Sequence, residues 1–171
     1  MKSSKIFALA GVTLLAAATL AACSGSGSSA KTEKTFSYIY ETDPDNLNYL
    51  TTGKAATANI TSNVVDGLLE NDRYGNFVPS MAEDWSVSKD GLTYTYTIRK
   101  DAKWYTSEGE EYATVKAQDF VTGLKYAADK KSDGLYLVQE SIKGLDAYVK
   151  GEIKDFAEVG IKALDDHTVQ Y

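Results

Sequence analysis

Trp85-Ser-Val-Ser-Lys-Asp-Gly-Leu-Thr-Tyr-Thr-Tyr-Thr-Ile98 is the stretch on which the reading of the fold turns. In its second half Leu92, Tyr94, Tyr96 and Ile98 fall on one parity and three threonines on the other, the period of two expected of a strand with one buried face. Trp85 and Val87 alternate in the same way before Lys89-Asp90-Gly91, where Asp-Gly offers the positive φ angles of a tight turn. The pattern predicts an antiparallel hairpin turning at Asp90-Gly91 with Leu92, Tyr94, Tyr96 and Ile98 buried. A slip of one residue would exchange the two faces.

Towards the C-terminus, Ala117, Phe120, Val121, Leu124 and Ala128 share one face of a helix, with Asp119 near its positive end. A further helix is expected around Ile142, Leu145, Tyr148 and Val149, stopped by Gly151. The chain then returns to strand over Val159 to Leu164 and Thr168 to Tyr171, joined by an Asp165-Asp166 turn. Towards the N-terminus, Asn71 to Asn76 is turn-rich, and Ala55 to Leu69 reads as a helix with Ile60, Val64 and Leu68 on one face, although Gly67 weakens it. Thr35 to Tyr40 reads as a first strand, ended by a polar loop in which Pro44 forces its predecessor to be extended. No internal repeat is visible. Because the last strand runs to the final residue, we expect an N-terminal piece of a longer protein.

The first residues carry a different message. Lys2 and Lys5 precede the uncharged apolar run Ile6 to Leu20, and Leu20-Ala21-Ala22-Cys23 puts small residues before the only cysteine. The run is short for a membrane span. Residues 1–22 are therefore expected to be a lipoprotein signal peptide and Cys23 the lipid attachment site, holding the protein at the outer face of the cytoplasmic membrane. Residues 23–34, rich in serine and glycine, form a flexible tether.

Cleavage would leave about 150 residues, a length for about one domain or part of a larger architecture. It removes two lysines and no acid, so the formal charge of −6 becomes more negative. Cations and carboxylates are interleaved, with none of the clustered Lys and Arg that nucleic acid requires, so no nucleic-acid partner is expected. With Cys23 acylated there is no disulfide, and the fold must rest on its apolar core.

Chemistry is scarce. His167 is the only imidazole, in Asp165-Asp166-His167-Thr168, and reads as a turn residue rather than a catalytic base. One His and no free thiol leave no zinc site. Asp43-Pro44-Asp45 and Asp165-Asp166 lack the spacing and glycine of a calcium loop and read as solvated turns. No phosphate-binding Gly-x-x-x-x-Gly-Lys-Ser/Thr motif is present. We therefore expect neither enzyme, cofactor nor metal. Twelve tyrosines suit a cleft for peptides or sugars, though strand alternation alone explains Tyr94 and Tyr96.

From Ser37 to Tyr171 the chain resembles the family 5 extracellular solute-binding proteins, the oligopeptide, dipeptide and nickel receptors of ABC importers. The resemblance rests on Val65-Asp-Gly-Leu-Leu-Glu70, Met81-Ala-Glu-Asp-Trp-Ser86, Asp90 to Trp104 and Ala117-Gln-Asp-Phe120; Gly160 to Thr168 looks particularly like the oligopeptide receptors. Two departures stand out. Lys116 occupies the place of a helix-capping Thr or Ser, so Thr114 caps instead or the helix starts differently. The segment from Tyr105 to Lys116 is also longer than the family's usual turn.

The resemblance implies an α/β fold, periplasmic-binding-protein-like of type II, in which two lobes enclose a peptide and an extra α+β domain packs on the first. By position, residues 35–53 look like the start of lobe one and 54–171 like most of the extra domain. The second lobe, which supplies the acidic partner of the peptide's amino terminus, is absent. Tyr40-Glu41-Thr42 resembles the segment running beside the bound peptide, where backbone groups hold its main chain, and Tyr136 matches a cleft tyrosine. The implied partners are oligopeptides and the permease and ATPase subunits of an ABC transporter. The alternatives are the same fold carrying nickel, haem or a sugar, and a surface lipoprotein for peptide sensing or adhesion.

Overall fold

A computed structural model describes residues 37, 39 and 42–171. The expected signal peptide and tether, Cys23, Tyr40 and Glu41 lie outside the described residues, and so does most of the strand expected over 35–40. Within 42–171 the chain is mixed α/β. Helix α1 covers Ala55–Thr61, α2 Ala117–Asp129 and α3 Leu145–Lys150. The strands are β1 Leu69–Asn71, β2 Phe77–Pro79, β3 Ala82–Val87, β4 Tyr94–Ile98, β5 Lys103–Tyr105, β6 Glu111–Thr114, β7 Lys162–Ala163 and β8 Thr168–Gln170.

The hairpin forms as its alternation requires. β3 and β4 pair antiparallel, with Trp85 opposite Tyr96 and Val87 opposite Tyr94. β4 then pairs with β8 and β8 with β7, giving an antiparallel sheet of order β3-β4-β8-β7. Tyr171 prolongs the ladder by exchanging both backbone hydrogen bonds with Tyr94. The turn is wider than Asp-Gly alone demands. Ser88 N–H donates to the Thr93 carbonyl and Gly91 N–H, at φ +74°, to the Ser88 carbonyl. Leu92 therefore belongs to the loop, not the strand.

Its exposure follows. Ile98 is fully buried and Tyr96 half-buried, but Leu92 is 78% exposed and Tyr94 41%, which corrects the expectation that all four are covered. The covering element explains the difference. Helix α2 packs on β7 and β8, so its shelter fades towards the hairpin tip. Ile98, Leu145, Val159 and Val169 are the largest fully buried apolar side chains, and Phe120, Val121 and Leu124 of α2 pack against this core.

The N-terminal helix is shorter than its apolar spacing suggests. It ends at Thr61, and Val64 is 80% exposed. The Gly67 and Leu68 carbonyls instead accept the N–H groups of Met81 and Ala82, so the chain is extended as it enters β1. Tertiary pairing overrides helical propensity here. The side chains α1 buries are Thr57 and Thr61, whose hydroxyls donate to the Asn46 and Thr57 carbonyls.

The turn at Asn71 to Asn76 joins β1 to β2, and the long Tyr105 to Lys116 segment is the β5–β6 hairpin, bulged between Trp104 and Tyr105. Helix α2 begins with Lys116 as cap. A lysine offers no acceptor, so only half a capping box exists: the Asp119 carboxylate accepts the Lys116 N–H at 3.0 Å and the Trp104 indole at 2.9 Å. Thr114 does not cap, because it lies in β6 and its hydroxyl accepts from Lys103. The Lys116 ammonium instead reaches Asp166 at 2.8 Å, while the Asp166 carbonyl accepts the Ala117 N–H. The β7–β8 turn thus closes the start of α2. Helix α3 ends at Gly151, φ +81°, as expected. The strand expected over Val159 to Leu164 shrinks to Lys162 and Ala163.

Candidate functional site

Thr42 opens an irregular strap, residues 42–54, laid along α2. Asn46 Oδ1 accepts the Asn48 N–H at 2.8 Å, a local turn suited to asparagine. Asn48 Nδ2 donates to the Tyr126 hydroxyl at 3.2 Å, and Leu50 lies over Gly123, where an added Cβ would stand 3.9 Å from Leu50 Cδ2. Further on, the Gly53 N–H donates to the Asp133 carboxylate, and the Gly53 backbone crosses that of Gly134.

Thr42, Asp43, Asp45, Lys54, Ala55 and Ala56 line an open hollow of about 430 Å³. Lys54 is ion-paired with Asp45, and that hydrogen bond, followed by the charge of Asp45, holds the ammonium above its ordinary value. Tyr136 is not part of this hollow. It lies in a 3-10 turn, Leu135–Leu137, pinned by buried Leu135, with its own ring 73% exposed. Leu137 and Val138 beside it are also exposed. The two candidate positions thus occupy different segments, joined through the Gly53–Gly134 crossing.

The polar cluster around Arg99 and Asp101 has structural partners. A hollow of about 350 Å³ is lined by Pro79, Ser80, Glu83, Arg99 and Asp101. There the Arg99 guanidinium forks onto Asp101 at 2.7 and 2.8 Å, and the Asp101 carboxyl is held below its ordinary value by that bond. Asp165 accepts the His167 backbone N–H and the Thr168 hydroxyl, not the imidazole, so it does not orient a base. Among the described residues no three His, Cys, Asp or Glu gather around a possible metal position.

Sequence reasoning passed over Asp133, Gly53 and Gly134. Their signal was available only as Ser132-Asp133-Gly134 following a helix, a generic turn triplet. Nothing in it names a partner some 80 residues away.

The described residues form a mixed α/β unit in which helix α2 packs on the sheet and the strap lies along that helix. Residues 76–171 match the family described as bacterial extracellular solute-binding proteins, family 5 Middle, and the chain belongs to that family. Over 171 residues it is 94% identical to the oligopeptide-binding protein AliA of Streptococcus pneumoniae, covering all of this chain and 26% of the relative. Over 177 residues it is 71% identical to the oligopeptide-binding protein SarA of Streptococcus gordonii, again covering all of this chain and 27% of the relative. Among solved structures, Haemophilus influenzae OppA in complex with RPPGFSPFR superposes with a TM-score of 0.65 at 29% identity, over 75% of this chain and 24% of that one. The chain spans about a quarter of the length of the curated relatives it matches.

Proposed function

We propose that this chain is part of a receptor that captures oligopeptides outside the cell and delivers them to an ABC importer, whose separate subunits hydrolyse ATP. The observation that carries the reading is the likeness of the whole chain to relatives named for oligopeptide binding, together with a fold shared with a peptide-bound structure. Those names favour peptide over the nickel, haem and sugar alternatives. The receptor is not an enzyme on this reading, since its task is to enclose and release.

Residues 35–53 then begin lobe one and 54–171 form most of the extra domain. Tyr40, Glu41 and Thr42 run beside the peptide and offer it backbone groups, which hold a main chain without reading its side chains. Tyr136, exposed on its turn, offers a flat face with a polar tip. Cys23 carries the lipid that holds the receptor at the membrane's outer face, with the Ser-Gly-rich tether allowing it to stand off. Calorimetric titration of the sequence within a protein of its relatives' full length tests the reading. Heat of binding from a mixture of short peptides, and none from nickel, haem or maltose, is expected; the reverse pattern would overturn it.

A further inference from the structure

We propose that Asp133 is a positioning residue for peptide capture: its carboxylate latches the strap to the turn after α2, and so fixes the segment beginning at Thr42 relative to Tyr136. The proposal rests on the peptide-receptor reading given above.

The strap has no regular structure from Thr42 to Lys54, so few bonds decide where it lies. It is tied to α2 by the Asn48–Tyr126 hydrogen bond and the Leu50 contact over Gly123, to α1 by the Thr57 hydroxyl on the Asn46 carbonyl, and to the turn beyond α2 by the Gly53 crossing. The crossing alone touches the segment that leads into Tyr136. There the Gly53 N–H finds its acceptor on the exposed Asp133 carboxylate.

Asp133 is itself held ready. Helix α2 ends in a Schellman arrangement: the Lys131 N–H donates to the Ala128 carbonyl and the Ser132 N–H to the Ala127 carbonyl, with Lys131 in the left-handed region at φ +53°. Ser132 Oγ then accepts the Gly134 N–H at 3.2 Å. The next residue, Leu135, is buried, which anchors the 3-10 turn carrying Tyr136. One rigid turn therefore presents an acceptor to the strap on one side and an exposed tyrosine on the other.

The two glycines of the crossing are not equivalent. A Cβ on Gly53 would stand 3.2 Å from Gly134 Cα, closer than the crossing allows without giving way. A Cβ on Gly134 would stand 3.6 Å from Gly53 Cα, an ordinary contact, and Gly134 has a right-handed backbone. Gly53→Ala should loosen the latch and Gly134→Ala should not.

The test combines amide hydrogen exchange on this chain with calorimetry on the same sequence in a protein of its relatives' full length, titrated with an equimolar mixture of synthetic tri- to nonapeptides. Asp133→Ala should speed exchange at the Gly53 amide severalfold, as loss of one hydrogen bond implies. It should weaken peptide affinity about fivefold, through the added cost of ordering the strap on binding. Asp133→Asn, which keeps an acceptor oxygen, should restore most of both; Gly53→Ala should resemble Asp133→Ala, and Gly134→Ala the unvaried protein. Unchanged exchange at Gly53, or faster exchange with unchanged affinity, would overturn the positioning role alone. If the unvaried protein takes up no peptide, the receptor reading falls, and the positioning role with it.

Discussion

Lys131 carries backbone strain that the rest of its turn imposes. A non-glycine residue at φ +53° costs about 1–2 kcal/mol, yet the Schellman bonds need that conformation. Lys131→Gly should therefore stabilise the chain by about 0.5–1 kcal/mol, the strain relieved less the chain entropy that glycine gives up. A higher urea midpoint at unchanged slope would show it, and a lower midpoint would contradict it. Tyr171 makes a second residue-scale test. Burial, with a smaller contribution from Tyr96, pushes its hydroxyl from 10.0 up to about 12, and its ring meets Tyr96 edge-on at 6.0 Å. The folded state disfavours the phenolate, so this contribution to stability is complete below pH 10 and is lost as pH rises from about 10 to 12. At most it amounts to about 2–3 kcal/mol. Denaturant unfolding at pH 9 and pH 11 should show the loss, and Tyr171→Phe should reduce it; an identical fall in the variant would contradict the assignment. On the proposed anchor, Cys23→Ala should leave the protein unprocessed or release it to the medium, and recovery of an acylated, membrane-bound variant would overturn that assignment.

At the scale of elements, the β3–β4 hairpin separates what alternation can reveal from what it cannot. Ile98 is fully buried, so Ile98→Ala should cost about 2–5 kcal/mol. Leu92 shares its parity but is mostly exposed, and Leu92→Ser should change stability by less than about 0.5 kcal/mol. Thermal and urea unfolding of the two variants checks the contrast; comparable losses would restore the four-residue buried face. Pairing, direction and helix α2 were legible because each depends on a local period. The end of the buried face was not, because it depends on where α2 lies over the sheet. The early stop of α1 was hidden for a related reason, since the Gly67 and Leu68 carbonyls bond to a distant segment. The cap of α2 follows the same rule: Asp119 was read as favourable to the helix start, but its indole partner Trp104 lies across a hairpin.

For the molecule as a whole, the residues that carried the family resemblance lie in or beside β1, β3, β4, β5, α2 and β7, and they include Ile98, Ala102, Ala117 and Ile161 of the buried core. That explains why family membership could be read from sequence, while the candidate binding surface was legible only in outline. Tyr136 and Thr42 came from likeness, and the crossing that joins their segments came from geometry alone. On the proposed reading, peptide is held by enclosure between two lobes, with its amino terminus paired to an acid outside these 171 residues. Removing one partner of a buried hydrogen-bonded charge pair costs about 2–5 kcal/mol, and each tenfold in affinity is about 1.4 kcal/mol. Calorimetry of this chain beside a protein of its relatives' full length, both titrated with the same short-peptide mixture, tests the claim most directly. The account predicts affinity weaker in this chain by at least about two to three orders of magnitude, whereas comparable affinity in the two would contradict it.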